Sequence, residues 1–352
     1  MSTELMTAAV TTGHGGLDKL ELRELPVPRP SEGEVLVRVG ACGLNNTDIW
    51  VRQGAYGTDK DPDAVTGTGR VPHTFPLVQG ADVVGHITEV GAGVSSSRVG
   101  ERVICNFMTY EQGPRGLQMS GGLGSSRPGG YAQYCSVPGE NAYAIESEYT
   151  DAQLATFVCA YMTAENMLET ATVSDAETVL VTGASGGVGT ALIQLAHARN
   201  ARVVALSSKA KLERVQSLNP AAVICRDGDN LAQALLAAID EADVDVVADV
   251  VAGELFSQYL SVLKTHGRYV TAGAIGGAVV PFDVRTLYLK YLTFYGVSCG
   301  MPWHFEKVLE HLNEGRIKPL LHATYALSDI HQAQTDFMAK GFFGNLAVLP
   351  WS

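Results

Sequence analysis

The sequence predicts an α/β protein in two parts: a β-rich first third, then a six-stranded parallel sheet covered by helices on both faces. Three observations carry this. Short segments that alternate apolar and polar residues fill the first third. Near residue 176 the pattern becomes a regular alternation of strand-like and helix-like runs. A glycine-rich turn follows the first strand of that alternation.

Taken in order, Lys19–Leu25 and Glu34–Val39 read as half-buried strands, with Pro26, Pro28 and Pro30 punctuating the gap. Asp82–Val90 and Arg102–Cys105 are further strands, bracketed by Gly85, Gly91 and Gly100. Gly54–Thr74 and the glycine-rich Glu111–Gly130 have no period and read as long loops over a β scaffold. The later strands are Thr178–Thr182, Arg202–Leu206, Ala222–Cys225, Val244–Val251, Arg268–Ala272 and Thr293–Ser298. Between them, Thr190–Arg199 carries an apolar stripe of Ala191, Leu192, Leu195 and Ala198. Leu212, Val215 and Leu218 mark a second helix, and Leu231, Leu235, Leu236 and Ile239 a third. The tail, Met301–Ser352, has one helix at Phe305–Leu312 and then mixed short elements.

At 352 residues two domains are expected. With 46% hydrophobic and 18% charged residues the chain has ample core material, which excludes a disordered class. A formal net charge of −12 argues against general binding to nucleic acid or to an anionic membrane. There is no long apolar run, and Met1–Gly16 lacks the basic flank and apolar core of a signal peptide, so a soluble cytoplasmic protein is expected. Six cysteines are scattered; the closest pair, Cys135 and Cys159, is 24 residues apart. Buried free thiols are expected, with neither a disulfide framework nor clustered thiolates for zinc.

The most informative stretch runs from Val179 to Gly189. An apolar strand enters Gly183-Ala184-Ser185-Gly186-Gly187-Val188-Gly189, and an amphipathic helix follows at once. Bare backbone N–H groups and the helix dipole would face a pyrophosphate there, with Gly183, Ser185, Gly186, Gly187 and Val188 against the cofactor. An NAD site usually has Asp or Glu at the end of the next strand. Here Arg202–Leu206 ends in Ser207-Ser208-Lys209-Ala210-Lys211. Two hydroxyls and two ammonium groups suit a 2′-phosphate, so NADPH is expected, with Ser207, Ser208 and Lys209 as its contacts. The competing reading has a serine capping the following helix and the lysines solvated.

These features together resemble the medium-chain dehydrogenase/reductase superfamily. The resemblance spans nearly the whole chain and rests on Ala41-Cys42-Gly43-Leu44-Asn45 through Asp48, Gly80–Gly85, Gly129-Gly130-Tyr131-Ala132, the glycine turn and the tail Gly341–Leu346. It implies a discontinuous chaperonin-10-like β-barrel catalytic domain, residues 1–160 and 300–352. A Rossmann domain, residues 161–299, would be inserted in it, with the active site in the cleft between them. In zinc-dependent members the catalytic ligands would fall on Asn45, Ala81, Asp82 and Cys159. An amide, a methyl, one carboxylate and one thiol do not make a zinc site, so no metal is expected. The four-cysteine structural zinc lobe also has no counterpart in Asn106–Gly130.

The zinc-free members that this sequence resembles are of quinone oxidoreductase and enoyl reductase types. The resemblance implies hydride transfer from NADPH to a small conjugated acceptor (quinone, enone or enoyl thioester), whose developing charge hydrogen bonds can stabilise. It places Asn45 and Tyr56 at the acceptor oxygen, with Tyr56 a proton donor. Thr47 takes the hydroxyl position of the alcohol dehydrogenase proton relay, and Trp50 stands where the relay histidine would be. Trp50, Asp82 and Cys159 would line the substrate pocket. Further cofactor contacts carried over are Thr163, Val250, Val251, Ala272, Gly273, Ala274, Ser298, Lys340 and Asn345. The apolar strand Thr293–Ser298 would be a sheet edge that pairs with a second copy to form a homodimer. The alternatives are a zinc-type alcohol dehydrogenase with a divergent site and a nucleotide-binding protein without catalysis.

Overall fold

The computed structural model describes residues 4–56, 73–114, 116–228 and 230–352. The chain divides into two compact units, Met1–Cys159 with Pro319–Ser352, and Ala160–Lys318.

The first unit opens with β1 (Leu5–Thr11), β2 (Leu20–Pro26) and β3 (Glu34–Gly43), then α1 (Asn46–Gln53). β4 (Leu77–Val78), β5 (Asp82–Val90) and β6 (Arg102–Cys105) follow. β7 (Met108–Gly113) and β8 (Gly116–Gly122) form an antiparallel hairpin. The loop expected over Glu111–Gly130 is therefore corrected: much of it is strand, whose short, glycine-rich and polar run hid the period. Of the expected loop Gly54–Thr74, residues 57–72 lie outside the described residues. β9 (Tyr134–Pro138), β10 (Ala142–Ala144) and α2 (Asp151–Leu154) complete this segment.

The second unit begins within α3 (Cys159–Thr170). There follow β11 (Thr178–Val181), α4 (Gly187–His197), β12 (Arg202–Ser207), α5 (Leu212–Gln216), β13 (Ala222–Cys225) and α6 (Leu231–Ile239). Then come β14 (Val244–Asp249), α7 (Phe256–Ser261), β15 (Leu263–Thr271), α8 (Val284–Leu289), β16 (Thr293–Gly296) and α9 (Pro302–Asn313). All six strands are parallel, in the order β13-β12-β11-β14-β15-β16. That is the doubly wound dinucleotide-binding order, whose direction reverses between β11 and β14. Both faces of the sheet are covered, which is why β11 is buried at every residue instead of alternating. The unit ends at Lys318, beyond the Cys299 expected from sequence, because α9 folds with it.

The chain then returns to the first unit with β17 (Leu321–Ala326), α10 (Ile330–Ala339) and β18 (Asn345–Leu349). The larger sheet there runs β10-β6-β5-β3-β18-β17, with β9 also on β3. β3 is its hub, buried at Val35, Val37, Val39, Ala41 and Cys42. The fold is thus a six-stranded Rossmann sheet inserted in a chaperonin-10-like β-barrel domain. Among the described residues no helix is long and apolar enough to cross a membrane. Cys42, Cys105 and Cys135 are buried free thiols, but Cys159, Cys225 and Cys299 are partly exposed, contrary to the expectation that all would be buried.

Candidate functional site

In the second unit the expected cofactor residues gather at the carboxyl ends of the strands. β11 runs into Gly183, whose φ of +55° is open to glycine without strain. A Cβ there would lie 2.9 Å from Val250 Cγ2 and 3.2 Å from Val251 Cγ2, so turn and β14 end are in contact. Gly189 is tighter still: a Cβ would meet Gly183 O at 2.2 Å, which sets how closely α4 docks on the turn. Gly186 is the N-cap of α4 and offers no side chain to its first turn. The N–H groups of Gly187, Val188 and Gly189 therefore start the helix without intrahelical acceptors.

Gly273, after β15, approaches the same place, where a Cβ would lie 3.3 Å from Val250 O. Ala272 and Ala274 flank it, while Ser298 lies just beyond β16 and is exposed. Thr163, on α3, is buried. At the end of β12, Ser207 is buried and its hydroxyl has no hydrogen-bond partner. Ser208 stands at the N-cap of the following turn but makes no side-chain cap bond, and Lys209 is exposed. A glycine cradle and an orphaned buried hydroxyl fit a dinucleotide phosphate and sugar.

Sequence reasoning missed the clamp beneath these loops. The buried Asp249 carboxylate accepts from Thr182 Oγ1 and Tyr269 Oη, each at 2.5 Å, and from Val251 N at 2.8 Å and Ala252 N at 3.0 Å. It ties the ends of β11, β14 and β15 together. The signal was the acid closing the apolar run Val246–Ala248 at the end of β14.

In the first unit, Gly43 of β3 pairs with Asp82 of β5. Because Gly43 has no side chain, the Asp82 carboxylate lies over it: a Cβ would sit 2.9 Å from Asp82 Oδ2. Two residues on, Asn45 caps α1, and its Nδ2 donates to Asp82 Oδ2 at 2.9 Å. Cys159 N donates to the other oxygen, Oδ1, at 3.0 Å. Asn45, Asp82 and Cys159 are thus brought into one hydrogen-bonded group. Burial pushes the Asp82 carboxyl up to about 8, against the pull of these two donors and with the Asp48 charge adding to the rise.

Asp48 is the second buried acid. Its Oδ2 accepts from Tyr131 Oη at 2.7 Å and from Asn45 N at 2.8 Å, and burial still raises it to about 6. Gln79 Nε2 donates to Asp48 O, and Thr11 Oγ1 donates to Gln79 Oε1, extending the chain of hydrogen bonds into β1. These contacts make Asp48, Tyr131 and Gln79 the support of the Asn45 loop. Tyr131 lies in the Gly129–Ala132 segment that carried the resemblance, but nothing local marked it or Gln79 as a partner of Asp48.

The tail reaches the same loop. Leu44 N donates to Leu346 O at 2.9 Å, and Lys340 Nζ donates to Asn46 Oδ1 at 2.7 Å. Asn345, at the start of β18, is buried with an unpartnered Nδ2. Thr47 lies half-buried in the first turn of α1. Trp50 packs edge-on against Tyr56 with ring centroids 5.4 Å apart, so the expected pocket wall and the expected proton donor meet.

Known families account for both units. The alcohol dehydrogenase GroES-like domain matches residues 31–147, and the zinc-binding dehydrogenase domain matches residues 187–314. A crystal structure from Sinorhizobium meliloti 1021, named provisionally an alcohol dehydrogenase, superposes with a TM-score of 0.93 at 48% identity, covering 99% of this chain and 97% of that one. The quinone oxidoreductase of Rattus norvegicus is 28% identical over 98% of both chains. The chain belongs to the medium-chain dehydrogenase/reductase superfamily. It is an oxidoreductase of a family that binds nicotinamide cofactors in the Rossmann domain. Another member, a thermostable alcohol dehydrogenase from Pyrobaculum aerophilum with cobalt and zinc bound, is 30% identical with a TM-score of 0.82, covering 99% of this chain and all of that one.

Zinc in such a member raises the question of whether these residues fit a metal. The donor set here does not. Both Asp82 oxygens already accept N–H groups, and Asn45 turns a donor, not a lone pair, toward that carboxylate. Among the described residues no group of three or more His, Cys, Asp and Glu side chains is placed to hold an ion.

Proposed function

We propose that this enzyme transfers hydride from NADPH to a conjugated acceptor, a quinone, enone or enoyl thioester, without a metal ion. The observation that carries this reading is the group of Asn45, Asp82 and Cys159. At the positions where zinc ligands would stand, it supplies hydrogen bonds in place of a Lewis acid. Reduction of a plain ketone concentrates charge on one oxygen, whereas a conjugated acceptor spreads it over an enolate that N–H and O–H donors can stabilise.

The nicotinamide, when bound, supplies the hydride. The chain's own residues do the rest. A primary amide has two N–H groups, and Asp82 uses one of those on Asn45; the other serves the acceptor oxygen. Tyr56, steadied against Trp50, gives the proton that completes the reduction, with Thr47 as the nearby hydroxyl. Thr163, the glycine turn, Val250, Val251 and Ala272–Ala274 bind the cofactor. The lack of a carboxylate at the end of β12, together with the unpartnered Ser207 hydroxyl, supports NADPH over NADH.

The test is NADPH oxidation over a panel of quinones, enones, enoyl thioesters and simple ketones, with zinc measured on the same sample. Turnover confined to conjugated acceptors without stoichiometric zinc is expected. Preferential turnover of simple ketones, lost with a chelator, would overturn the reading. It would favour the second reading, a zinc-type alcohol dehydrogenase, which the names of the two structural relatives above support.

The same proposal includes a cytoplasmic homodimer joined through β16. That strand lies at the sheet edge, and Val284, Leu289 and Tyr291 beside it are 58–66% exposed, a cost to leave in water. Sedimentation that shows a monomer at all concentrations would reject it.

A further inference from the structure

One basic residue near the end of β12 has no part in the reading above. Ser207 pairs with Cys225 across β12 and β13, and its main-chain oxygen accepts from Arg226 N at 2.9 Å. The backbone therefore fixes Arg226 beside the strand end that is expected to meet the adenosine half of the cofactor.

Three further facts point to an anion there. The Ser207 hydroxyl, in a residue 3% exposed, is buried and has no partner. Such a group is costly to leave unbonded. Lys211 and Arg214 lie near enough to Arg226 that the two arginine charges, after burial, help depress the Lys211 ammonium. The charges of Lys211, Arg214 and Arg226 thus act on one another near the end of β12. The local counter-ion of Arg226 is Asp227, at 3.5 Å and with both side chains more than half exposed, a weak pairing that water screens. Arg226 also lines a pocket whose walls include Leu206, Ile224, Leu231 and Leu255. A largely apolar recess beside a guanidinium suits a purine carrying a phosphate, because the planar guanidinium can stack and bind oxygens in pairs.

We propose that Arg226 is a determinant of cofactor choice, binding the 2′-phosphate of the adenosine half of NADPH together with Ser207. The inference rests on the NADPH reading and adds the residue that sequence alone did not offer. Lys209 was expected from sequence to make this contact; both side chains are exposed, but Arg226 is held beside Ser207 by the pairing of β12 with β13. Charge-assisted bidentate hydrogen bonds are about twice as strong as neutral ones, so Arg226 carries more of the discrimination than either serine.

Calorimetric titration of the full chain with 2′,5′-ADP and with 5′-AMP separates the possibilities. Wild type should bind 2′,5′-ADP the more tightly. Arg226→Gln should weaken 2′,5′-ADP by about tenfold or more and leave 5′-AMP within about twofold, with an unchanged Tm. Arg226→Lys should recover only part of the loss. Unchanged 2′,5′-ADP affinity in Arg226→Gln would overturn the assignment while leaving the NADPH reading intact, and so would an equal loss for both probes. If wild type itself binds the two probes alike, the NADPH reading fails and the role of Arg226 falls with it.

Discussion

Each unit contains a buried aspartate beside its candidate site, and the two are used differently. Asp249, in the second unit, receives two hydroxyl and two backbone donors and ties three strand ends together. Asp82, in the first, receives only two N–H donors, and burial lifts its carboxyl to about 8. The contrast separates a clamp from a positioning group. A carboxylate surrounded by donors fixes the loops around it, whereas one with few donors pays for burial in its titration and positions only Asn45 and the Cys159 backbone.

Breaking the clamp should have the largest effect. Asp249→Ala leaves Thr182 and Tyr269 hydroxyls and two loop N–H groups without their acceptor. A loss of about 3–5 kcal/mol in urea unfolding is expected, since buried networks broken on one side cost this much. A loss below about 1 kcal/mol would show that the cluster is not a clamp. Gly189→Ala acts on the same unit by steric means, since its Cβ would fall 2.2 Å from Gly183 O. Overpacking here should cost about 1–3 kcal/mol and abolish measurable NADPH binding by fluorescence titration, because the turn must open.

The two units also differ in how much of them can be read from sequence. The Rossmann sheet was legible strand by strand: Ala222–Cys225 matches its reading to the residue, and Val244–Asp249 differs only at its end. Strands buried on both faces make continuous apolar runs, and the glycine turn is local in sequence. In the first unit Asp82–Val90 and Arg102–Cys105 were equally plain. The hairpin Met108–Gly122 was not, since its strands are polar and partly exposed. The Asn45 group joins residues 45, 82 and 159, and the support through Tyr131 and Gln79 comes from yet other strands. Such contacts depend on β3–β5 pairing and on the missing side chain of Gly43, which no periodicity reveals. Asn45, Asp82 and Cys159 were found only through the family resemblance.

In the first unit the strongest expected effect is on turnover. If Asn45 donates to the acceptor oxygen as proposed, Asn45→Ala should lower kcat about 10- to 100-fold with nicotinamide cofactor affinity changed less than about threefold. The reverse pattern would move Asn45 from the acceptor to the cofactor.

Asp82→Asn tests the other half of the comparison through pH. Its carboxyl is raised from 3.8 to about 8, so the folded state holds a proton that the unfolded chain releases. The stability contribution is fully present below the unfolded value and is lost as pH rises through the folded value. Wild type should therefore lose stability relative to Asp82→Asn between pH 5 and pH 8, by on the order of 1 kcal/mol or more in urea titrations. Parallel pH profiles would mean that Asp82 is charged in the fold and is a clamp like Asp249.

The smallest effect belongs to Lys209. Lys209→Ala removes one exposed ammonium from the end of β12, and an exposed charge contributes little through water and salt. The ratio of kcat/KM for NADPH over NADH should fall only about two- to fivefold, less than for Arg226→Gln, and the difference should shrink as salt is raised from 50 to 500 mM. A larger drop for Lys209 than for Arg226 would mean that the phosphate sits over the turn after β12, with β13 contributing only its backbone. An unchanged ratio would mean that discrimination depends on groups fixed by strand pairing and not on Lys209.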